Sequence, residues 1–106
     1  MKRVLLALAA LAAPTTAQAH DPSDGFCPLL EKVAGRVMEK RQEGVNQTDL
    51  MLVANGMATE SRRGVLITII GDAFEVPIRN TSAQKKIEIA KYSKRVADTC
   101  NEVYSQ

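Results

Sequence analysis

The sequence predicts an all-α protein, a small bundle of about four helices in which one disulfide joins the first and last helices. Three observations support this prediction. Apolar residues recur at steps of three and four along most of the chain, as they do on the buried face of a helix. Helix-capping residues, Gly and Pro divide that pattern into four segments. Two cysteines, Cys27 and Cys100, lie near the outer ends of the first and last segments.

The first nineteen residues have the pattern of a secretory signal peptide. Lys2 and Arg3 form a basic head, residues 4–13 are an unbroken apolar run, and small residues precede a cleavage point after Ala19. Ten apolar residues rise about 15 Å as a helix, roughly half the hydrocarbon thickness of a bilayer, which is too short for a membrane anchor. We therefore expect cleavage after Ala19, a periplasmic or secreted location, and no stable membrane insertion after cleavage.

Removal of this leader changes the charge of the protein. Fourteen basic residues less Lys2 and Arg3 leave twelve, which equals the number of acidic residues. The domain expected at residues 20–106 is therefore electroneutral, and we predict no nucleic-acid partner. With 87 residues and no Trp, it is a single domain near the size at which a hydrophobic core alone gives marginal stability.

Cys27 and Cys100 are predicted to form a disulfide. Export takes them to an oxidising compartment, where two cysteines allow only one intramolecular pairing. In the chain-entropy model, closing so long a loop stabilises the fold by up to about 4 kcal/mol. The chain has no C-x-x-C spacing, and its one His is far from both cysteines, so nothing favours a redox or metal role for them.

The first predicted helix follows a flexible lead-in at residues 20–25. Cys27 is expected as its cap and Pro28 at its first position, where a missing N–H is tolerated. Gly44 is expected to end the helix after a basic last turn. The apolar positions at helical spacing are Leu30, Val33, Ala34, Val37 and Met38.

The second predicted helix starts at the cap residue Asn46 and ends at Gly56. The third starts at the cap Thr59, covers residues 60–75 and stops before Pro77. Within it, residues 65–70 are rich in β-branched side chains and also fit a strand. We favour a helix because no other segment could pair with such a strand. The expected apolar faces are Leu50, Val53, Ala54 and Met57 in the second helix, and Leu66, Ile69, Ile70, Ala73 and Phe74 in the third.

The last predicted helix starts at a capping box formed by Thr81 and Gln84. Its apolar face places Cys100 on the buried side. A disulfide from the start of the first helix to the end of the last makes the two helices antiparallel neighbours, as in a bundle with short loops. The apolar face is Ile89, Tyr92, Val96, Cys100 and Val103.

The groups that suggest catalysis or metal binding each have a simpler explanation. His20 would be the new N-terminus and could chelate Cu²⁺, but copper sites recruit a second His or a sulfur ligand, and none is free. The carboxylate pairs Asp72 with Glu75 and Glu39 with Glu43 lie among basic residues, so surface ion pairing accounts for them. No nucleophile and base pair and no phosphate-binding loop is present. We predict no catalytic residue, metal site or cofactor, and hence no enzyme.

Two short motifs and a late cysteine give the chain a family resemblance. Residues 38–45 read MEKRQEGV, residues 72–77 read DAFEVP, and Cys100 follows near the end. In these features the chain resembles small exported proteins of proteobacteria and their phages, over most of residues 20–106. The resemblance implies an exported, helical protein with a disulfide. That group carries no known active site, so it implies no mechanism.

Two better understood groups share this plan of leader, small helical domain and disulfide. They are the periplasmic acid-stress chaperones of enteric bacteria and the periplasmic immunity proteins that neutralise type VI secretion effectors. The chain lacks the close cysteine spacing of the first group and the repeated cysteine and Gly-Tyr pattern of the second. We expect a non-enzymatic module that binds another protein, with a stress chaperone or an immunity-type inhibitor as the alternative. The sequence does not indicate the partner or the oligomeric state.

Overall fold

A computed structural model describes residues 23–56 and 59–104 of the chain, and these residues form four α-helices and no strand. The all-α prediction is confirmed, and so is the choice of a helix for residues 65–70. The expected signal peptide, His20 and Met57 lie outside the described residues. No described helix is long and apolar enough to cross a bilayer. The helices are α1 (Ser23–Gln42), α2 (Gln47–Asn55), α3 (Glu60–Ala73) and α4 (Ser82–Tyr104).

The start of α1 differs from the prediction. The helix begins at Ser23, so residues 23–25 do not belong to the expected lead-in and Cys27 is not the cap. Gly25 has a φ of +111°, outside the right-handed helical region. Pro28 therefore does not occupy the predicted first position but lies inside α1 as its sixth residue, where it supplies no backbone N–H to the helix.

The end of α1 is set by Gly44, as predicted. Gly44 has a φ of +91°, a left-handed conformation that favours glycine. Its N–H donates to the carbonyl of Arg41 at 3.0 Å, and the N–H of Val45 donates to the carbonyl of Lys40 at 3.1 Å. This pair of bonds is a Schellman motif, which satisfies the last carbonyls of α1 and turns the chain toward α2.

The caps predicted for the other three helices are present. Each satisfies a backbone N–H that has no partner within the first turn of its helix. Helix α3 ends at Ala73 rather than at the expected Glu75, and Phe74 is its C-cap. In each cap a side-chain oxygen accepts a bond from the N–H three residues on: Asn46 from Asp49 at 2.9 Å, Thr59 from Arg62 at 3.3 Å, and Thr81 from Gln84 at 3.1 Å.

Helices α1 and α4 form the main layer of the bundle and pack along most of their length. The disulfide between Cys27 and Cys100, with Cα atoms 5.6 Å apart, joins the start of α1 to the end of α4. The two helices are therefore antiparallel, and the prediction that the disulfide joins the first and last helices is confirmed. Helix α3 packs on α1, and the short α2 packs on α3.

The core lies where α1, α3 and α4 meet. Two described residues of the expected apolar faces are exposed: Val53 by 63% and Val103 by 59%. Helix α2 touches mainly α3, so it buries only a narrow face that contains Ala54. Val103 instead lines an open cleft between α3 and α4. The buried cluster is Ala34, Val37, Met38, Ala54, Ile69, Ile70, Ala73 and Tyr92.

Candidate functional site

The sequence motifs at residues 38–45 and 72–77 meet at one end of the bundle. There, the end of α1 contacts the linker between α3 and α4, residues 74–81. The Nε of Arg41 donates to the carbonyl of Val76 at 2.9 Å, and its guanidinium lies 4.8 Å from the centroid of the Phe74 ring. These contacts fix the direction in which the chain leaves α3.

Gln42 completes this contact from inside the bundle, where it is only 2% exposed. Its Nε2 donates to the carbonyl of Pro77 at 3.0 Å, and its Oε1 accepts from the N–H of Arg79 at 2.8 Å. The amide of one side chain thus satisfies two backbone groups of the linker. The motifs at residues 38–45 and 72–77 therefore stabilise the fold at this end of the bundle, and they bring no reactive group together.

The carboxylates considered in the sequence have different surroundings. Glu43 pairs with Lys40 at 3.5 Å on the surface, as ion pairing predicts. Arg79, in the linker after α3, pairs with Glu88 of α4 at 2.7 Å. Within residues 23–56 and 59–104, no group of three or more His, Cys, Asp or Glu residues could hold a metal ion.

A cleft of about 400 Å³ between α3 and α4 is the candidate site. Its walls are helix faces, since their residues recur at steps of three and four. Phe26 and Leu30 of α1 also line the cleft. The α3 wall is Val65, Thr68, Ile69 and Asp72, and the α4 wall is Tyr92, Arg95, Val96, Thr99, Cys100 and Val103.

The two ends of the cleft are formed by aromatic residues. At one end the Tyr92 hydroxyl crosses from α4 to α3 and donates to the carbonyl of Ile69 at 2.6 Å. At the other end, near the disulfide, the Phe26 and Tyr104 rings meet edge to face with centroids 5.5 Å apart. Cys100 lies on the wall between them, so the disulfide is part of the cleft.

Two opposite charges flank the Tyr92 end. Burial, together with the nearby Asp72 carboxylate, raises the pKa of Tyr92 to about 12, although Arg95 acts in the other direction. The Arg95 guanidinium lies 5.1 Å from the centroid of the Tyr92 ring. Tyr92 therefore keeps its proton and its bond to Ile69 at physiological pH. The site offers apolar surface with one acid and one base at its rim, which suits binding.

The sequence predicted part of this lining. Tyr92, Val96 and Cys100 belong to the apolar face predicted for α4, and Tyr92 and Cys100 are buried as predicted, but no pattern marked Arg95 or Thr99. The signal that could have shown an opening is the difference in helix length. Helix α3 has 14 residues and α4 has 23, so α3 is too short to cover the whole apolar face of α4.

The fold and the cleft together define a class, a small helical bundle closed by a disulfide and carrying an open apolar cleft. Comparison of the chain with protein-family models, curated proteins and solved structures finds no match. The candidate site is therefore defined by its own geometry.

Proposed function

We propose that the protein is an exported, non-enzymatic binding module that takes an apolar segment of another protein into the cleft between α3 and α4. One observation carries this proposal. Both walls have the residue spacing of a packed helix face, yet an open cleft of about 400 Å³ lies between them, and Thr68, Thr99 and Val103 are exposed along it. Val103 is 59% exposed, and a mainly apolar lining with a few polar side chains is the usual composition of a binding pocket.

The proposed location outside the cytoplasm has two supports. The first nineteen residues have the three features of a secretory leader. A structural disulfide such as Cys27–Cys100 is typical of an oxidising compartment. The resemblance to small exported proteins of proteobacteria and their phages points the same way. N-terminal sequencing of the exported protein tests the cleavage, and His20 is the expected first residue.

The shape of the cleft favours binding of one defined partner, as an immunity-type inhibitor does, over chaperoning of many clients. A hydrogen bond from Tyr92 joins the two walls at one end of the cleft, and at the other end the Cys27–Cys100 disulfide ties the α4 wall to the start of α1. A preorganised site of this kind gains affinity for one shape. Surfaces that accept many partners are instead flexible and able to repack.

Photo-crosslinking in the cells that produce the protein tests this function. A photoreactive amino acid replaces Thr68 or Thr99, which are exposed on opposite walls of the cleft. We expect both positions to give one adduct of the same mass. Ala90, exposed on α4 outside the cleft lining, serves as the control position and should give no adduct.

A blocking variant shows whether the adduct forms in the cleft. T99R places a long side chain in the cleft and should abolish the adduct formed from position 68. T48R introduces the same side chain at an exposed position on α2 and should leave the adduct unchanged. The proposal is wrong if neither wall position gives an adduct, or if position 90 gives the same one. Adducts of many masses from the cleft positions would favour a chaperone.

A further inference from the structure

We infer that the segment bound in the cleft is an amphipathic helix with flanks of opposite charge, a basic flank facing α3 and an acidic flank facing α4. This inference rests on the proposed function and specifies the chemistry of the partner. Three features of the cleft lead to it: the lack of backbone hydrogen-bonding groups on its walls, its concave shape, and the placement of Asp72 and Arg95.

The walls favour a helix over an extended peptide. An extended segment needs partners for its backbone N–H and C=O groups, which a free sheet edge supplies. Both walls here are α-helices, and the described chain has no strand. The polar side chains of the middle of the walls are limited to Thr68 and Thr99. A helix satisfies its own backbone groups and presents only side chains to the apolar cleft.

The concave shape requires a convex occupant, which argues against a second copy of the same face. Two clefts placed face to face would enclose a space of roughly twice 400 Å³ with few contacts across it. Surfaces separated by such a gap lose their dispersion contacts. A single helix, by contrast, offers a ridge of side chains at steps of three and four that can enter the groove between two helices.

The length of the cleft sets the size of the helix. Tyr92 and Val103 mark its two ends on α4, and the eleven residue steps from one to the other rise about 16 Å. A partner helix of about three turns covers this distance. It would place apolar anchors at positions i, i+3 or i+4, and i+7 along the cleft.

The rim charges define the flanks. Arg95 lies over the Tyr92 ring on the α4 wall, and Asp72 lies one helical turn beyond Ile69, the residue that accepts the Tyr92 hydrogen bond. Both charged side chains are exposed, and neither forms an ion pair with another described residue. A bound helix therefore meets a carboxylate on one side and a guanidinium on the other. Opposite charges on its flanks complement both.

Two stapled helical peptides of identical composition test the inference. Each has about fourteen residues, an apolar stripe, and one Lys and one Glu flanking the stripe at its C-terminal end. The two peptides differ only in which flank carries the Lys. A second pair carries the same charges at the N-terminal end, because the direction of the bound helix is not known. Binding to the full domain is measured by fluorescence anisotropy at low ionic strength.

Within a pair we expect one peptide to bind about fivefold more tightly than the other, since two rim ion pairs are exchanged for two repulsions. The difference should shrink in about 0.5 M salt because exposed charges are screened. In the double variant D72R/R95D the preference should reverse. The double variant E39R/K86D, which changes two exposed charges outside the cleft lining, should keep the wild-type preference.

Equal binding within both pairs, or a preference that survives in D72R/R95D, would overturn the inference. The same conclusion follows if no peptide binds to a protein that still gives the cleft-specific adduct in cells. In each of these cases the proposed function stands. If the cleft positions give no adduct in cells, by contrast, both the proposed function and this inference are wrong. Thermal melting of each variant confirms that the domain is folded.

Discussion

Gln42 places a side-chain amide inside the bundle, and both ends of that amide bind the backbone of the linker after α3. The motif that contains Gln42 is visible in the sequence, but these contacts are not. The bonds join Gln42 to Pro77 and Arg79, residues 35 and 37 positions away. Local periodicity carries information about neighbours three or four residues apart, so contacts over such separations depend on how the helices pack.

The variant Q42L tests the importance of this amide. Leucine has a similar volume but leaves the carbonyl of Pro77 and the N–H of Arg79 without their partner. We expect the free energy of unfolding to fall by about 2 kcal/mol or more, because a buried backbone group without a partner costs about 1–3 kcal/mol. Urea unfolding at neutral pH measures the change. Q47A, at an exposed position on α2, is the control and should stay close to wild type. A Q42L protein as stable as Q47A would mean that water replaces the amide.

Tyr92 should make stability depend on pH in the alkaline range. Burial, with a smaller contribution from Asp72, raises the pKa of Tyr92 from 10.0 to about 12. The unfolded chain loses this proton near pH 10, whereas the folded protein keeps it. The contribution of Tyr92 to stability is therefore complete below pH 10 and is lost as the pH rises from 10 to 12.

Comparison with Y92F isolates this effect from the lysines that titrate in the same range. Between pH 9 and 11.5, the free energy of unfolding of wild type should fall by about 1 kcal/mol or more relative to that of Y92F. Urea unfolding at the two pH values measures it. An ultraviolet titration of Y104F, in which Tyr92 is the remaining tyrosine, should show ionisation well above pH 10. If the free energies of unfolding of wild type and Y92F decline in parallel as the pH rises, burial does not raise the pKa of Tyr92 in the folded state.

At the scale of the elements, the helix caps were predicted well and the buried faces less well. Asn46, Thr59 and Thr81 cap their helices through bonds that span three residues, which the sequence contains in full. The face of α2 was misjudged at Val53 because the face that is buried depends on the partner helix. The start of α1 was misjudged because Gly25 allows a helical turn ahead of Pro28.

Two glycines should respond in opposite ways to the same substitution. G44A should destabilise the protein by about 1 kcal/mol, because Gly44 has a φ of +91° in the turn that ends α1. G64A should stabilise it by up to about 1 kcal/mol, because Gly64 lies inside α3 with open space where a Cβ would stand. Thermal melting separates the two, with about 4–8 °C expected per kcal/mol for a domain of this size. Changes of the same sign would contradict the assigned end of α1.

At the scale of the whole molecule, the sequence predicted the four helices and their closure but not the cleft. The disulfide required α1 and α4 to be antiparallel neighbours, and that follows from the positions of two residues. The cleft depends instead on the distance between α3 and α4, and the residue pattern of either helix alone does not determine that distance. Residues such as Arg95 and Thr99 acquire their place only when the opposite wall is known.

The disulfide should support both the fold and the cleft. It links positions 73 residues apart, and Cys100 forms part of the cleft wall. Its reduction releases the start of α1 from the end of α4 and should lower the free energy of unfolding by up to about 4 kcal/mol, which corresponds to a fall in Tm of up to roughly 15–30 °C. The tighter peptide of each pair should lose affinity at a temperature where the reduced protein is still folded.

Thermal melting and peptide binding with and without dithiothreitol measure these two effects. The double variant C27S/C100S is the matched control, since it should melt near the reduced protein and should not respond to dithiothreitol. Loss of binding while the helical circular dichroism signal remains would show that the disulfide holds the cleft in shape as well as stabilising the bundle. A Tm that is the same with and without reductant would contradict the predicted contribution of the disulfide, because a bond between positions 73 residues apart should restrict the unfolded chain whatever the packing between α1 and α4.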